Sequence, residues 1–377
     1  MILCYRSSVR DTISSVGVAR FFRRSRSRIM PKWGGDCMAT VTTLASAPAT
    51  GMSEANGIND DGAVAGQADT QDAFLWVPQF PNATTGTVTP LPTLFGPGAS
   101  ARATAMSVNN SGVVVGYSDW VDSSGNPVER AVVWNGGNVF PLPTLNPDPA
   151  NPGAFIGNSR AVDINDNGDI VGKSDSPGGE VGFLIDGSTG QIRNLFSLVP
   201  ASSPVPDRSR ATSINNNGDI VGVSDALDAN GTVVERAFLL PAGAQFMIDL
   251  GTLVPDPNNP GLFSETSAAY GINDSGRIIG SSDDGNDDRA ATEFFNGFPA
   301  TALLPASSEG FDVGPTGEVV GSSGAGGFVL NGAVVDLNTL VTIAGMTVDY
   351  ANSINAASQI AASATVGGVS VGILITP

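Results

Sequence analysis

The chain has 377 residues, with 36 acidic side chains against 18 basic ones, and it contains no histidine. The lack of histidine excludes Ser-His-Asp and Cys-His catalysis and histidine-ligated zinc. Beyond residue 37 the acidic excess repels phosphate backbones, so we expect no nucleic-acid binding. No stretch of the sequence is long and apolar enough to suggest a membrane span.

The first 37 residues differ from the rest of the chain. They carry eight of the basic residues and both cysteines, Cys4 and Cys37. They lack the apolar core of a signal peptide, so no signal peptide is visible. We expect residues 1–37 to form a disordered basic extension, with a targeting or anion-binding arm as the alternative, and residues 38–377 to form one domain.

A short phrase, Ile/Val-Asn-x-x-Gly followed by an apolar run and Gly, recurs along that domain. Seven copies, two of them degenerate, lie 41 to 58 residues apart. A repeat of this length is one supersecondary unit that stacks on its neighbours. The copies begin at Ile58, Val108, Ile164, Ile214, Ile272, Val313 and Ile354.

Each repeat contains four short apolar runs separated by Gly, Pro or Asn, and none is long enough for an ordinary helix. In the fourth copy these runs are 209–215, 219–224, 236–240 and 245–254. Seven units of four strands predict an all-β, seven-bladed β-propeller. A β-solenoid is the alternative, although its coils are usually shorter and more even.

The two ends of the domain predict how the ring closes. The last repeat stops after its third strand, 371–375, while an unassigned strand-like segment, Ala39 to Leu44, precedes the first repeat. Pairing these two segments would complete the last blade and leave no open edge. We therefore expect an N-terminal strand to close the propeller.

Aspartates recur where the second strand of a repeat ends, at Asp69, Asp119, Asp175, Asp225 and Asp283. Equivalent strand ends lie on one face, which also gathers the two longest loops, with Asp148 and Asp256. Because binding sites usually lie where long loops cluster, this face is the predicted ligand-binding face. The alternatives are that the aspartates cap the adjoining loops and that the long loops are spacers.

Two segments suggest calcium. Asp163-x-Asn165-x-Asn167-Gly168 imitates the start of a helix–loop–helix calcium loop, but Ser174 stands where the bidentate Glu is needed, and a hairpin turn is the alternative. The densest acidic cluster contains Asp283, Asp284, Asp287 and Asp288, for which the alternative is a solvated loop. No other cofactor is expected.

The repeats resemble the bacterial HAF extracellular repeat family over about residues 50–377. The resemblance rests on Ala211 to Ser224, on Ala73 to Trp76, and on Asp249 to Leu253. Asp72 and Arg236 occupy the position of the family's name-giving His, so a role of that His has no counterpart there. The resemblance implies an extracellular or cell-surface bacterial protein and brings no catalytic residues.

By elimination, the sequence predicts a monomeric, non-catalytic binding or structural scaffold for an unknown protein or glycan ligand. The alternative is a glycan-cleaving enzyme that uses carboxylates alone, since Asp and Glu are the catalytic groups that remain. A pair of carboxyl groups in one concave pocket would favour the enzyme, whereas a uniformly acidic face would favour binding.

Overall fold

This computed structural model describes residues 39–44, 52–68, 72–96, 101–200, 203, 208–228, 230–254, 265–285, 288–296 and 298–377. Within them the chain forms 28 β-strands and no α-helix, arranged as seven four-stranded antiparallel sheets. The all-β prediction of seven four-stranded blades is confirmed. The expected disordered extension, 1–37, lies outside the described residues.

The strands follow the order of the repeats. The first strand, β1 (Thr40–Thr43), precedes blade 1. Blade 1 contains β2 (Ser53–Ile58), β3 (Val64–Ala68), β4 (Ala73–Pro78) and β5 (Gly86–Pro90). Blade 2 contains β6 (Ala103–Val108), β7 (Val114–Val121), β8 (Pro127–Asn135) and β9 (Asn138–Pro141). Blade 3 contains β10 (Ser159–Ile164), β11 (Ile170–Ser176), β12 (Gly179–Ile185) and β13 (Ile192–Asn194).

Blades 4 to 7 repeat this pattern. Blade 4 contains β14 (Ser209–Ile214), β15 (Ile220–Leu227), β16 (Val233–Leu240) and β17 (Ile248–Asp249). Blade 5 contains β18 (Ser267–Ile272), β19 (Ile278–Asp283), β20 (Arg289–Phe295) and β21 (Phe298–Ala306). Blade 6 contains β22 (Ser308–Val313), β23 (Val319–Ser323), β24 (Gly326–Leu330) and β25 (Val334–Asp336), after which a 3-10 helix follows at Leu337–Thr339. Blade 7 contains β26 (Met346–Ile354), β27 (Ile360–Val366) and β28 (Val369–Thr376).

The first strand of each repeat is the inner strand of its blade. Each inner strand contacts the inner strand of the next blade, and β26 contacts β2, so these contacts close a ring around the propeller axis. Every inner strand also contains a β-bulge, whose extra residue stands three positions before the Asn position of the motif. The bulges strengthen the twist that a closed ring of short blades requires.

Blade 7 is completed by β1, which pairs with β28 so that Val41 lies opposite Ile375. The N–H of Leu44 donates to the carbonyl of Gly372 at 3.0 Å. Leu44 is only 1% exposed and packs with Trp76 and Leu374 between blades 7 and 1. The predicted closure by an N-terminal strand is therefore confirmed.

The core lies between neighbouring blades rather than within a single sheet. Phe238 of blade 4, for example, is fully buried and belongs to one apolar cluster with Val171 of blade 3. Its ring covers Gly222 on the adjoining strand, where an added Cβ would approach ring carbons of Phe238 to 2.8 Å. The small residue in the Ile-Val-Gly run is thus what lets a large aromatic side chain fill the space between blades.

Candidate binding site on the loop face

The two rims of the propeller are built from different connections. The turn face carries the Asn-x-x-Gly hairpins, which join the first and second strands of each blade. The loop face carries the connections from second to third strand and from each blade to the next. Any ligand site on the ring has to use one of these faces or the sides of the blades.

On the turn face, the motif asparagines hold the blades together. In six of the seven hairpins, all but the one in blade 6, the Asn Oδ1 accepts the N–H four residues later, for example Asn215 from Asp219 at 2.9 Å. The Nδ2 group donates at 3.0 to 3.1 Å to the backbone carbonyl at the equivalent position of the next blade. We call these bonds the asparagine ladder; the donors are Asn59, Asn109, Asn165, Asn215, Asn273 and Asn355.

The glycine that ends the motif is explained by the backbone conformation of the turn. At Gly62, Gly112, Gly168, Gly218, Gly276 and Gly317 the backbone φ lies between 76° and 95°, where glycine is strongly preferred. The repeat phrase visible in the sequence therefore encodes the turn and the asparagine ladder.

The residue after each ladder asparagine adds a second, exposed set of bonds. In blades 1 to 5 Asp and Asn alternate at this position, and each Asn donates its amide to the Asp on either side, as Asn110 does to Asp60 at 3.1 Å and to Asp166 at 2.9 Å. The alternation pairs each of these carboxylates with an amide donor. The side chains at this position of the turn face are thus used in bonds between blades.

Two aspartates on inner strands connect blades below the turn face. Asp163 accepts the hydroxyl of Ser107 of blade 2 at 2.8 Å and the hydroxyl of Ser213 of blade 4 at 3.0 Å. Asp312 accepts the hydroxyl of Ser353 of blade 7 at 2.8 Å. Burial raises the pKa of Asp163 to about 6, and burial also raises the pKa of Asp312. These carboxylates are inter-blade connectors.

The calcium-loop pattern at 163–168 is accounted for by the same bonds. Asn165 Oδ1 accepts the N–H groups of Asn167 and Asp169 at 3.0 and 2.9 Å, and its Nδ2 serves the asparagine ladder. Asp163 is directed to Ser107 and Ser213. The hairpin interpretation describes this segment.

On the loop face, the recurring aspartates fix the connections that enter the inner strands. The carboxylates of Asp119, Asp175 and Asp283 each accept a backbone N–H from the residue just before the inner strand of the same blade. Asp225 uses its own N–H to reach the equivalent carbonyl at 2.9 Å. This geometry supports the capping alternative. The donors are Arg102, Asn158 and Thr266, at 3.0, 2.7 and 3.2 Å.

Three further residues were predicted on the ligand-binding face, and the structure describes one of them, Asp148. Asp148 accepts from the Asn151 amide at 2.7 Å and from the Ser123 hydroxyl at 2.5 Å. The bonds from Asn151 and then Ser123 lower the pKa of Asp148 to about 2. Asp69 and Asp256 lie outside the described residues, so ligand binding by them stays a prediction.

The predicted calcium cluster is only partly described, because Asp287 lies outside the described residues. Asp283 Oδ1 lies 3.8 Å from Arg289 Nε. Asp288 accepts the Ser307 hydroxyl at 2.7 Å, and this bond, with the N–H of Arg289, lowers the pKa of Asp288. Asp284 donates its N–H to the carbonyl of Asp288 at 2.9 Å. Among the described residues no group of three His, Cys, Asp or Glu side chains is placed to hold a metal ion.

A large recess on the loop face lies at blades 5 to 7, and the repeat pattern fails in the last two of these blades. The connection from blade 5 to blade 6 is the single residue Ser307, with φ of 59°. The second-to-third-strand turns are reduced to Gly324-Ala325 in blade 6 and Gly367-Gly368 in blade 7. By contrast, the connection from blade 2 to blade 3 runs from Pro141 to Ser159. The short connections of blades 5 to 7 leave a depression, which we call the blade 5–7 cleft.

The blade 5–7 cleft has a volume of about 890 Å³ and a predominantly polar lining. Its charged members are Asp288, Arg289, Glu309 and Asp349. The other lining residues are Ser307, Ser308, Ser322, Ser323, Gly324, Ala325, Gly326, Thr347, Tyr350, Thr365 and Ser370.

Aromatic side chains of three neighbouring inner strands lead towards this cleft. Tyr350 is 51% exposed, and its ring lies 6.3 Å from that of Phe311. Phe311 in turn lies 6.1 Å from Tyr270 in an edge-on arrangement. Arg289 reaches the Tyr270 hydroxyl and Glu309, both at 3.4 Å. The charged pair is therefore held beside the aromatic row.

Sequence reasoning placed the binding face at the recurring aspartates; of the predicted site residues that the structure describes, Asp288 of the calcium cluster lines this cleft and the recurring aspartates do not. Blades 6 and 7 have Gly324 and Thr365 where the other repeats have Asp, and both residues line the cleft. The loss of the consensus in two adjacent copies was the available signal. That loss does not predict on which side of the ring the short connections meet.

A smaller recess, of about 500 Å³, lies on the loop face of blade 2. Phe95 and Trp120 pack together there with ring centroids 5.5 Å apart, beside Asp119 and Glu129. It is flanked by the hairpin of β7 and β8. Its lining is more apolar than that of the blade 5–7 cleft, and it contains no cationic side chain among its described members.

Comparisons with known proteins identify no activity. A family model described as protein of unknown function (DUF3466) matches residues 70–255, from the end of the second strand of blade 1 to the end of blade 4. This match does not confirm the resemblance to HAF repeats. The chain matches no curated protein.

Two solved structures with a related chain path are distant from this chain in sequence. One is a sialidase from Trypanosoma rangeli in complex with the inhibitor DANA, with 11% identity and a TM-score of 0.38, covering 86% of this chain and 55% of the sialidase. Another is a putative oxidoreductase (glucose dehydrogenase) from Thermus thermophilus, with 8% identity and a TM-score of 0.36, covering 89% of this chain and 99% of that one. At these values neither likeness bears on function.

Within the described residues, no helix has the length and hydropathy to cross a membrane.

Proposed function

We propose that this protein is a non-catalytic binding scaffold, acting outside the cell or on its surface, with its ligand site in the blade 5–7 cleft. The observation that carries the proposal is the contrast between the two faces. The turn face uses its polar groups in bonds between blades. In the cleft, the hydroxyls of Ser322, Thr347 and Ser370 have no hydrogen bond to any described residue, so they are open to a ligand.

The distribution of carboxyl pKa values favours binding over catalysis. A carboxylate-only glycosidase needs one carboxyl that keeps its proton near neutral pH, which burial in an apolar site usually achieves. Among the described residues, burial raises the pKa of Asp163, Asp249 and Asp312. None of these three lines the cleft. The elimination of histidine and cysteine chemistry points the same way.

The location rests on sequence. The resemblance to extracellular repeats suggests export, and both cysteines precede the ring. A chain whose folded domain has no thiol is insensitive to the redox state of its surroundings, as suits an exported protein.

A cleft-blocking substitution tests the proposal. Thr347 is exposed on β26 and lines the cleft, so Thr347→Trp should fill it without disturbing the core. We expect a panel of immobilised oligosaccharides, basic peptides and polyamines to retain the wild-type protein through one ligand class. Thr347→Trp should lose that retention, and chromatography should show the ligand unchanged after long incubation.

The matched control is Ser111→Trp, at a position that is also exposed but lies on the turn face. It should bind like the wild type. Turnover of a panel member would contradict the non-catalytic assignment, and retention that survives Thr347→Trp would place the ligand site elsewhere.

A further inference from the structure

We infer that the blade 5–7 cleft binds a neutral saccharide, one sugar ring of which stacks on Tyr350. This inference rests on the proposed function, since it names the ligand class of the same site. A pyranose presents a face of C–H bonds and an edge of hydroxyl groups. It therefore needs an exposed aromatic ring with hydrogen-bond donors and acceptors around it, and the cleft supplies both.

The stacking surface is the ring of Tyr350. It is 51% exposed, and Phe311 supports it at 6.3 Å with the ring planes tilted by 44°. Phe311 is held in turn by Tyr270 at 6.1 Å. A ring supported by aromatic neighbours loses little conformational freedom when a ligand binds, which favours a stable contact.

The polar surroundings contain both donors and acceptors. Asp349 accepts the Thr365 hydroxyl through Oδ2 at 2.7 Å, and no described residue donates to its other oxygen. The hydroxyls of Ser322, Thr347 and Ser370 can donate or accept. Sugar hydroxyls can donate to Asp349 and can both donate to and accept from these three hydroxyls.

The charge of the cleft excludes anionic sugars and phosphates. Three carboxylates, Asp288, Glu309 and Asp349, face one guanidinium, Arg289. Arg289 is already paired with Glu309 at 3.4 Å and lies 3.8 Å from Asp283. An anion would thus meet an excess of negative charge, and the acidic ring around the cleft adds to that repulsion.

The backbone keeps the cleft open. Gly326 has φ of 111°, and a Cβ there would come within 2.5 Å of the Val348 carbonyl and 2.6 Å of Asn338 Nδ2. The turn of Gly324 and Ala325 consequently lies close against blade 7. A larger residue at Gly326 would therefore have to displace this turn, which lines the cleft.

A carbohydrate array with Tyr350 variants tests this inference. The probes are neutral oligosaccharides of glucose, xylose, mannose and galactose, acidic oligosaccharides that carry uronic or sialic acid, and the polyamine spermine. We expect a neutral oligosaccharide to bind, and Tyr350→Ala to weaken its binding by about tenfold or more, because the stacking surface is lost. Tyr350→Phe should retain most of the affinity, since it keeps the ring.

A salt titration and the melting temperature complete the experiment. Affinity for a neutral sugar should not change with sodium chloride concentration, since no charge is neutralised on binding. Both variants should have the melting temperature of the wild type, because about half of the Tyr350 side chain is exposed to solvent.

The outcomes separate the two proposals. The saccharide inference is overturned if only spermine or acidic sugars bind. It is also overturned if no neutral oligosaccharide binds in a way that Tyr350→Ala weakens. Spermine binding that Tyr350→Ala removes would still leave a non-catalytic binding site in the cleft. Hydrolysis of a bound neutral oligosaccharide would overturn the non-catalytic function while leaving the saccharide inference standing.

Discussion

The turn face and the loop face belong to the same ring, yet they are built in opposite ways. On the turn face, six blades donate the same asparagine bond to the next blade at nearly the same distance. On the loop face, connections range from the single residue Ser307 to the long segment between Pro141 and Ser159. The repeated asparagine bonds hold the ring together, and the cleft forms where the loop-face connections depart from the repeat pattern.

The difference follows from what each residue must contact. A ladder asparagine is constrained by its own hairpin and by the next blade, so a change there affects two blades. The side chain of a loop-face residue such as Thr347 is exposed and makes no hydrogen bond to a described residue, so the fold places fewer demands on it. Sites that accept new ligands are expected where such constraints are weakest.

The largest expected effect tests whether the asparagine ladder alone can close the ring. Deleting residues 1–46 removes β1, while the ladder bond from Asn355 to the Asn59 carbonyl still joins blade 7 to blade 1. The free energy of unfolding should fall by about 5 kcal/mol, because Leu44 loses its burial and β28 loses its outer strand. The edge left on β28 should also promote aggregation, measurable by light scattering.

Deleting only residues 1–37 is the matched control, since it keeps Ala39 to Leu44. Its melting temperature should equal that of the full chain. Equal melting of the two deletions would mean that the ladder and the inner strands suffice to close the ring without β1.

The next effect concerns one ladder residue. Asn215 is 4% exposed and serves its own hairpin through Asn217 and Asp219 as well as the carbonyl of Asn273. Asn215→Ala should cost about 3 kcal/mol in urea-induced unfolding, because one buried and two partly buried backbone groups lose their hydrogen-bond partner.

Asn216→Ala provides the comparison on the same turn. Asn216 is exposed and its amide bonds reach Asp166 and Asp274 at 3.2 Å. Its removal should cost no more than about 0.5 kcal/mol. Similar losses for the two variants would show that the buried ladder has no special role.

The smallest effect appears as a pH dependence. Burial raises the pKa of Asp163 from its ordinary value of 3.8 to about 6. Between these values the folded protein keeps a proton that the unfolded chain has lost, so the free energy of unfolding falls as pH rises from about 4 to about 6. The fall attributable to Asp163 is at most about 3 kcal/mol. Asp163→Asn should show a shallower fall over this range in urea titrations.

Asp148→Asn is the control on the loop face. Hydrogen bonds from Asn151 and Ser123 lower the pKa of Asp148 to about 2, so its removal should change the slope only below about pH 4. If Asp163→Asn and the wild type had parallel curves between pH 4 and 6, Asp163 would not be the titrating group.

The fold could be predicted from sequence because the repeat phrase reports local chemistry. The positive φ at position 218 favours glycine, the Asn215 side chain accepts an N–H of its own turn, and the β-branched run after them favours a strand. Each copy of the phrase therefore specifies its own hairpin. Closure followed from counting strands, since the missing strand at the end matched Ala39 to Leu44. These inferences need only neighbouring residues and a count.

The site could not be predicted in the same way. Whether Asp175 binds a ligand or a backbone N–H depends on where Asn158 lies, and both roles require the same carboxylate at the same loop. The blade 5–7 cleft is formed by Ser307, Gly324 and Tyr350, which come from three blades and share no motif. A recess is defined by the atoms that are missing from it, and a sequence pattern reports only those that are present.

The pairing of β1 with β28 also has a consequence for the order in which the chain folds. Thr40 lies opposite Thr376, so blade 7 is completed only when the two ends of the domain meet. During synthesis β1 emerges first and has no partner until β28 has left the ribosome. Contacts between such distant segments slow folding, because a long loop must close before they form. Ring closure should therefore be the last and slowest step, and refolding of the full-length chain should show a late phase that deletion of residues 1–46 removes.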